Sequence, residues 1–145
     1  MNTSTNDLLS AFGRLFLATI FVMSGLNKIA TPDITQGYIA SAGLPFPLLA
    51  YLGSIAVELG LGTALLIGLQ ARAAASVLAL FAIVTAIFFH RNFADQNQMI
   101  HFLKNVAMAG GLLQVVAYGA GRFSVDALRI NKIARTETSA TPVGA

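Results

Sequence analysis

Four apolar stretches of membrane-spanning length constrain this chain more than any other feature. They run roughly Leu8–Leu26, Leu48–Leu69, Ala73–Phe89 and His101–Tyr118. About 20 helical residues at 1.5 Å each cross a hydrocarbon core of about 30 Å. With 56% hydrophobic and only 10% charged residues, the chain has too little polar surface to cover a water-soluble globule of this length. The expected class is therefore all-α: a polytopic membrane protein folded as an antiparallel four-transmembrane-helix bundle. Intrinsic disorder is excluded by the same composition.

The connections set the neighbours. Gly68–Gln70–Arg72 is very short, so spans two and three form a hairpin. The longer first loop holds Thr31-Pro32, an N-cap followed by a first-turn proline, and Gly43 as a stop. A short interfacial helix of about Pro32–Ala42 is expected there. Asp95 and Gln98 have capping-box spacing, which starts the fourth helix near Gln96. After residues 8–121, the segment 122–135 reads as a basic juxtamembrane surface helix with an apolar stripe of Phe123, Ala127, Ile130 and Ala134. Residues 136–145 are small and polar and read as a disordered tail.

The amino-terminal segment contains Asp7 and lacks a basic n-region, so the first apolar stretch is read as a retained helix. An even number of spans puts both termini on one side. That side holds Arg72, Arg122, Arg129, Lys132 and Arg135, against Lys28, Arg91 and Lys104 on the other. The positive bias favours both termini in the cytoplasm. The net charge of +3 is a matter of topology and contact with the lipid bilayer, and no nucleic-acid partner is expected. There is no cysteine, which excludes thiol chemistry, iron–sulfur clusters and Cys-based zinc sites.

Ionisable groups inside a span are costly and therefore informative. Arg14, Ala18, Phe21, Gly25 and Lys28 recur at helical spacing on span one. Ser54, Glu58 and Gly62 share a face of span two. Ala75, Ala79, Ala82, Ala86 and His90 form a small-residue stripe on span three. His101, Lys104, Met108 and Gly111 align on span four. Counting rises puts Glu58 about 15 Å and Arg14 about 9 Å deep, within reach of an Arg–carboxylate pair. That pair either fixes helix register or floors a polar pocket. Lys28, His90, Lys104 and Asn105 would then supply donors at the pocket's mouth. His90 and His101 can face each other, but two imidazoles without a carboxylate or thiolate neighbour make a poor metal or haem site. No nucleophile–base set, phosphate loop or zincin motif is present, so no catalytic residue is assigned.

Several segments in this order resemble the DoxX family of small bacterial membrane proteins. They are Gly13-Arg14-Leu15-Phe16, Ser24-Gly25 with Lys28, Gly43-Leu44-Pro45, Glu58-Leu59-Gly60, Gly68-Leu69 with Arg72, His90, Phe102-Leu103-Lys104-Asn105, Gly110-Gly111 and Phe123-Ser124-Val125-Asp126. The resemblance covers residues 8–128. It implies a four-helix bundle in the bacterial inner membrane and an association with membrane redox processes involving quinone. On this reading the chain is an accessory protein whose ligand-binding residues are Arg14, Lys28, Glu58, His90, Lys104 and Asn105. A neutral quinone-like or other amphipathic molecule bearing carbonyl oxygens would suit the excess of donors. The alternatives are a quinone-linked oxidoreductase subunit with Glu58 as proton carrier, and a structural assembly subunit. A membrane redox complex or a homo-oligomer is the corresponding partner.

Overall fold

In the computed structural model, residues 3–140 are described, with side chains for residues 4–133. Helix α1 (Thr3–Ala30) is followed by α2 (Pro32–Ser41) and α3 (Pro47–Ile55). A π-helical segment, Ala56–Leu61, then joins α3 to α4 (Gly62–Ile67), so that these three pieces make one span. Helices α5 (Ala71–Phe89), α6 (Gln96–Tyr118) and α7 (Val125–Ala140) complete the order. Among the described residues, four helical runs are long and apolar enough to cross a membrane: Ser4–Ala30, Pro47–Ile67, Ala71–Phe89 and Gln96–Tyr118.

Neighbouring spans are antiparallel. The early Arg14 of α1 meets the late Leu65 and Leu66 of span two, while the late Lys28 meets the earlier Glu58. In the α5–α6 pair, His90 at the end of α5 stacks on His101 near the start of α6. The start of α1 and the exit from α6 lie together, since Asp7 accepts a hydrogen bond from the Arg122 backbone N–H at 3.1 Å. The bundle thus has a Gly68 end, carrying the hairpin and the root of α7, and a His90 end covered by α2. Tyr38 of α2 stacks on Phe89 at 5.3 Å and donates to its carbonyl.

Small residues let the helices approach closely. The buried face of α5 is Ala71, Ala74, Ala75, Leu78, Ala79, Ala82 and Ala86. Gly25 and Gly62 mark the crossing of α1 and span two: a Cβ on Gly25 would lie 2.8 Å from Leu59, and one on Gly62 would lie 3.2 Å from Val22. Outward faces carry the large side chains, with Phe16 68% and Leu80 65% exposed. This distribution suits a lipid solvent, where tight backbone packing replaces hydrophobic burial as the cohesive force.

The sequence expectations hold for the stripes of spans one and three, whose members are buried or half-buried. On span four they hold in part. The buried face is Ala109, Leu112 and Val115, which pack on α5, and Gln114 is exposed. His101 and Lys104 are exposed as well, yet with Met108 they border the cavity described below. The surface helix also differs: it spans Val125–Ala140, so Arg122 precedes it and residues 136–140 extend it. The rest of the expected tail, 141–145, lies outside the described residues. Thr31 is not a side-chain cap, because its hydroxyl donates back to the Asn27 carbonyl at 3.0 Å.

Candidate functional site

Two polar clusters lie within the bundle, and Arg14 and Glu58 belong to different ones. This corrects the expected Arg14–Glu58 pair. The antiparallel register sets Arg14 against Leu65 and Leu66, seven residues or about 10 Å beyond Glu58 along the helix.

At the Gly68 end, Arg14 is 2% exposed and donates to the carbonyls of Leu65 (3.1 Å), Leu66 (3.0 Å) and Phe123 (2.6 Å). The first two are among the last carbonyls of α4, where the helical ladder runs out, although Leu65 also accepts from the Gly68 N–H at 3.2 Å. The guanidinium group satisfies them and opposes the negative pole of the helix. Gly68 ends α4 with φ +70°, and the Leu69 N–H closes back to the Ala64 carbonyl at 2.8 Å. A Cβ there would collide with Ser124 and Arg14. Asp126 then caps the start of α5, accepting from the Gln70 N–H at 2.8 Å and the Ala71 N–H at 2.9 Å. Ser124 accepts from the Ala127 N–H and starts α7. Each residue of Phe123-Ser124-Val125-Asp126 with a polar role here thus closes a helix end, and no ligand is needed to explain it.

Towards the His90 end the second cluster borders a cavity of about 1000 Å³. Glu58, 4% exposed, sits in the π-helical segment. Its carboxylate accepts from Lys28 Nζ at 2.9 Å (Oε1) and 2.8 Å (Oε2), and Oε1 also accepts from the Ser24 hydroxyl at 3.0 Å. Lys28 donates its third bond to Ser24 Oγ at 2.8 Å. The π turn inserts an extra residue into the helical repeat, a feature frequent at functional sites. Tyr51 donates to the Lys28 carbonyl at 3.1 Å.

The cavity walls are largely apolar, from Phe21, Ile39, Phe81, Phe88 and Met108. Lys28, Glu58, His90, Lys104 and Asn105 all line it; Arg14 does not. Asn105 directs its amide to the His101 carbonyl of its own helix at 2.9 Å. The rings of His90 and His101 stack with centroids 5.0 Å apart, and His90 Nδ1 lies 3.3 Å from Gln98 Oε1. Burial holds the His90 imidazole below the ordinary histidine range; the Gln98 bond opposes this, while His101 and Lys104 reinforce it. Asp95 caps α6 as expected, accepting from the Asn97 and Gln98 N–H groups. The Gln98 side chain, however, turns to His90 instead of completing a capping box. Ser24 is the participant that sequence reasoning passed over, although its position one turn before Lys28 is the available signal. Among the described residues no three His, Asp or Glu gather to hold a metal ion.

Towards the Gly68 end the cavity gives way to the packed core of Ala18, Leu65, Leu78 and Leu112, each 0% exposed. The arrangement can hold an elongated apolar molecule near the His90 end.

Comparison with known proteins agrees with this architecture. The DoxX family matches residues 9–91. The inner membrane protein YqjF of Escherichia coli (strain K12) is 35% identical over 119 residues, covering 82% of this chain and 89% of that protein. The inner membrane protein YphA of the same organism is 30% identical over 128 residues, covering 85% and 91%. No solved structure gives a significant match. With its four apolar helices and these matches, the chain belongs to the DoxX family of integral inner-membrane proteins.

Proposed function

We propose that this protein binds an amphipathic small molecule within the membrane, as an accessory to membrane redox processes and without catalysing a reaction itself. The observation that carries the reading is the cavity of about 1000 Å³, apolar in its walls, with the Lys28–Glu58 pair at its side. That volume lies at the upper end of ordinary small-molecule sites, which also combine apolar walls with a few convergent polar groups. A quinone-like molecule fits this class, since its ring and tail are apolar and its oxygens accept hydrogen bonds. With the termini in the cytoplasm, as the positive bias favours, the cavity lies in the outer half of the bilayer and loads from that side.

The test is saturable binding of a short-chain quinone to the purified full-length protein in nanodiscs, followed by calorimetry. Thr85 lines the cavity and is half-buried. Thr85→Trp fills the space and is expected to abolish binding while the far-ultraviolet spectrum stays helical. Equal affinity in this variant and the parent would remove the cavity as the binding site. A reporter fused after Ala145 is expected to be active in the cytoplasm; periplasmic activity would invert the orientation.

A further inference from the structure

We infer that the ligand's head carries a single negative charge and is held at Lys104 beside the His90–His101 pair, not at the Lys28–Glu58 pair. This rests on the reading of the cavity as a ligand site and adds the charge and position of the head.

The argument begins with the donors that remain free. An ammonium group has three N–H donors. Those of Lys28 face Ser24 Oγ, Glu58 Oε1 and Glu58 Oε2 at 2.8–2.9 Å. Ser24 in turn donates to Glu58. The other hydroxyls nearby are also engaged, Ser54 with the Tyr51 carbonyl and Thr85 with the Phe81 carbonyl. The cluster that looks most like a head-binding site therefore has little left to offer. A head placed there would have to break a bond already made.

Lys104 differs. It lines the same cavity, and among the described residues it makes no hydrogen bond or ion pair. Its charge reaches His90, where it disfavours a proton. The charge balance points the same way. Lys28 and Glu58 cancel, and Lys104 is the other lysine or arginine of the cavity lining, with no carboxylate paired to it. Such a charge gains more from a counter-anion than from a dipole, and the apolar walls on one side reduce its screening by water. Hydrogen bonds to ionised acceptors are about twice as strong as those between neutral groups. The stacked imidazoles line the same cavity and add polar nitrogens to it. One free cation favours one negative charge, and a second would enter without a partner. The ligand class is thus a monoanionic amphiphile, its head either a carboxylate or a lipid phosphodiester and its tail in the apolar cavity.

The experiment uses the full-length protein in nanodiscs of zwitterionic lipid. Decanoate, its methyl ester and a short-chain quinone are titrated by calorimetry. Decanoate is expected to bind about tenfold more tightly than the ester, the difference between a charged and a neutral head. Lys104→Gln is expected to bring that ratio close to one while the ester's affinity holds, and Lys104→Arg to keep the preference. Equal binding of acid and ester by the parent protein, or a preference that survives Lys104→Gln, would overturn the inference. In that case, binding of ester and quinone that Thr85→Trp abolishes would leave the cavity reading standing. If none of the three binds, or Thr85→Trp changes nothing, the cavity reading itself fails. Adding anionic phospholipid to the nanodiscs separates the sources once the preference is seen. Displacement of decanoate identifies a lipid headgroup as the occupant, and its retention identifies a free carboxylate; either result requires the anion site.

Discussion

Arg14 and Lys28 lie on one stripe of α1, yet the bundle satisfies their charges in different ways. Arg14 is turned into packed backbone, where carbonyls from α4 and from the segment before α7 receive it. Lys28 is turned to a carboxylate at the edge of open space. The first arrangement joins three parts of the chain and leaves no room beside them. The second neutralises a charge while keeping a cavity open. A buried ionisable group in a membrane helix is therefore not by itself the mark of a binding site; what surrounds it decides.

The contrast can be broken by substitution, beginning at the Gly68 end. Gly68→Ala forces a side chain onto a backbone at φ +70° and into Ser124 and Arg14. Strain and overpacking together should cost about 4 kcal/mol, read as lost folded yield or a lowered unfolding midpoint in detergent. Arg14→Met should cost about 3 kcal/mol through lost charge-assisted bonds, with ligand affinity in the surviving folded fraction unchanged. A large drop in affinity there would show that the two ends are coupled.

Glu58→Gln should have the next largest effect, about 2 kcal/mol, because it leaves the Lys28 ammonium without a counter-charge. The figure is reduced because the Lys28 side chain is 22% exposed. Replacing both partners, as Lys28→Met with Glu58→Leu, should destabilise less than the two single changes added together. Strict additivity would mean that the pair is not energetically coupled. The helix caps give a finer comparison. Asp126→Ala removes two cap bonds supplied from a distant segment, one of them half-buried, and should cost about 2 kcal/mol, against about 1 kcal/mol for the exposed local cap removed by Asp95→Ala. Equal losses would show that distance along the chain adds nothing.

The smallest expected effect is a pH dependence at the His90 end. His90 takes up a proton less readily in the folded protein than in the unfolded chain. The unfolded state therefore binds more protons as pH falls through the ordinary histidine range, near 6.5. Its stabilising contribution is complete above that range and declines below it. Unfolding midpoints at pH 7.5 and 5.5 should differ less in His90→Gln than in the parent. An unchanged difference would assign the pH dependence to other groups.

How much of this could be read from the sequence follows from what side-chain spacing encodes. The stripe from Arg14 to Lys28 and the alanine face of α5 were legible because helical periodicity fixes which residues share a face. The partners of Arg14 were not, because backbone carbonyls have no signature in the sequence. Depth counted along ideal helices set Arg14 against Glu58, whereas the actual register sets Lys28 there. On α6, spacing does not tell how far inside a polar residue sits. At the end of a helix a long cation can instead lie at the rim, as exposed Lys104 does. The residues expected at the site were nearly all brought to one cavity; their pairing was what sequence could not supply.

The reach of Arg14 also has a consequence for biosynthesis. Its third acceptor, the Phe123 carbonyl, lies 109 residues further along the chain. A nascent polypeptide that has delivered its first hairpins to the bilayer still holds a guanidinium group waiting for a segment the ribosome has yet to make. Closure of the molecule is thus timed by a segment made after all four spans, and products truncated before that segment should reach the membrane yet fall prey to quality-control proteases.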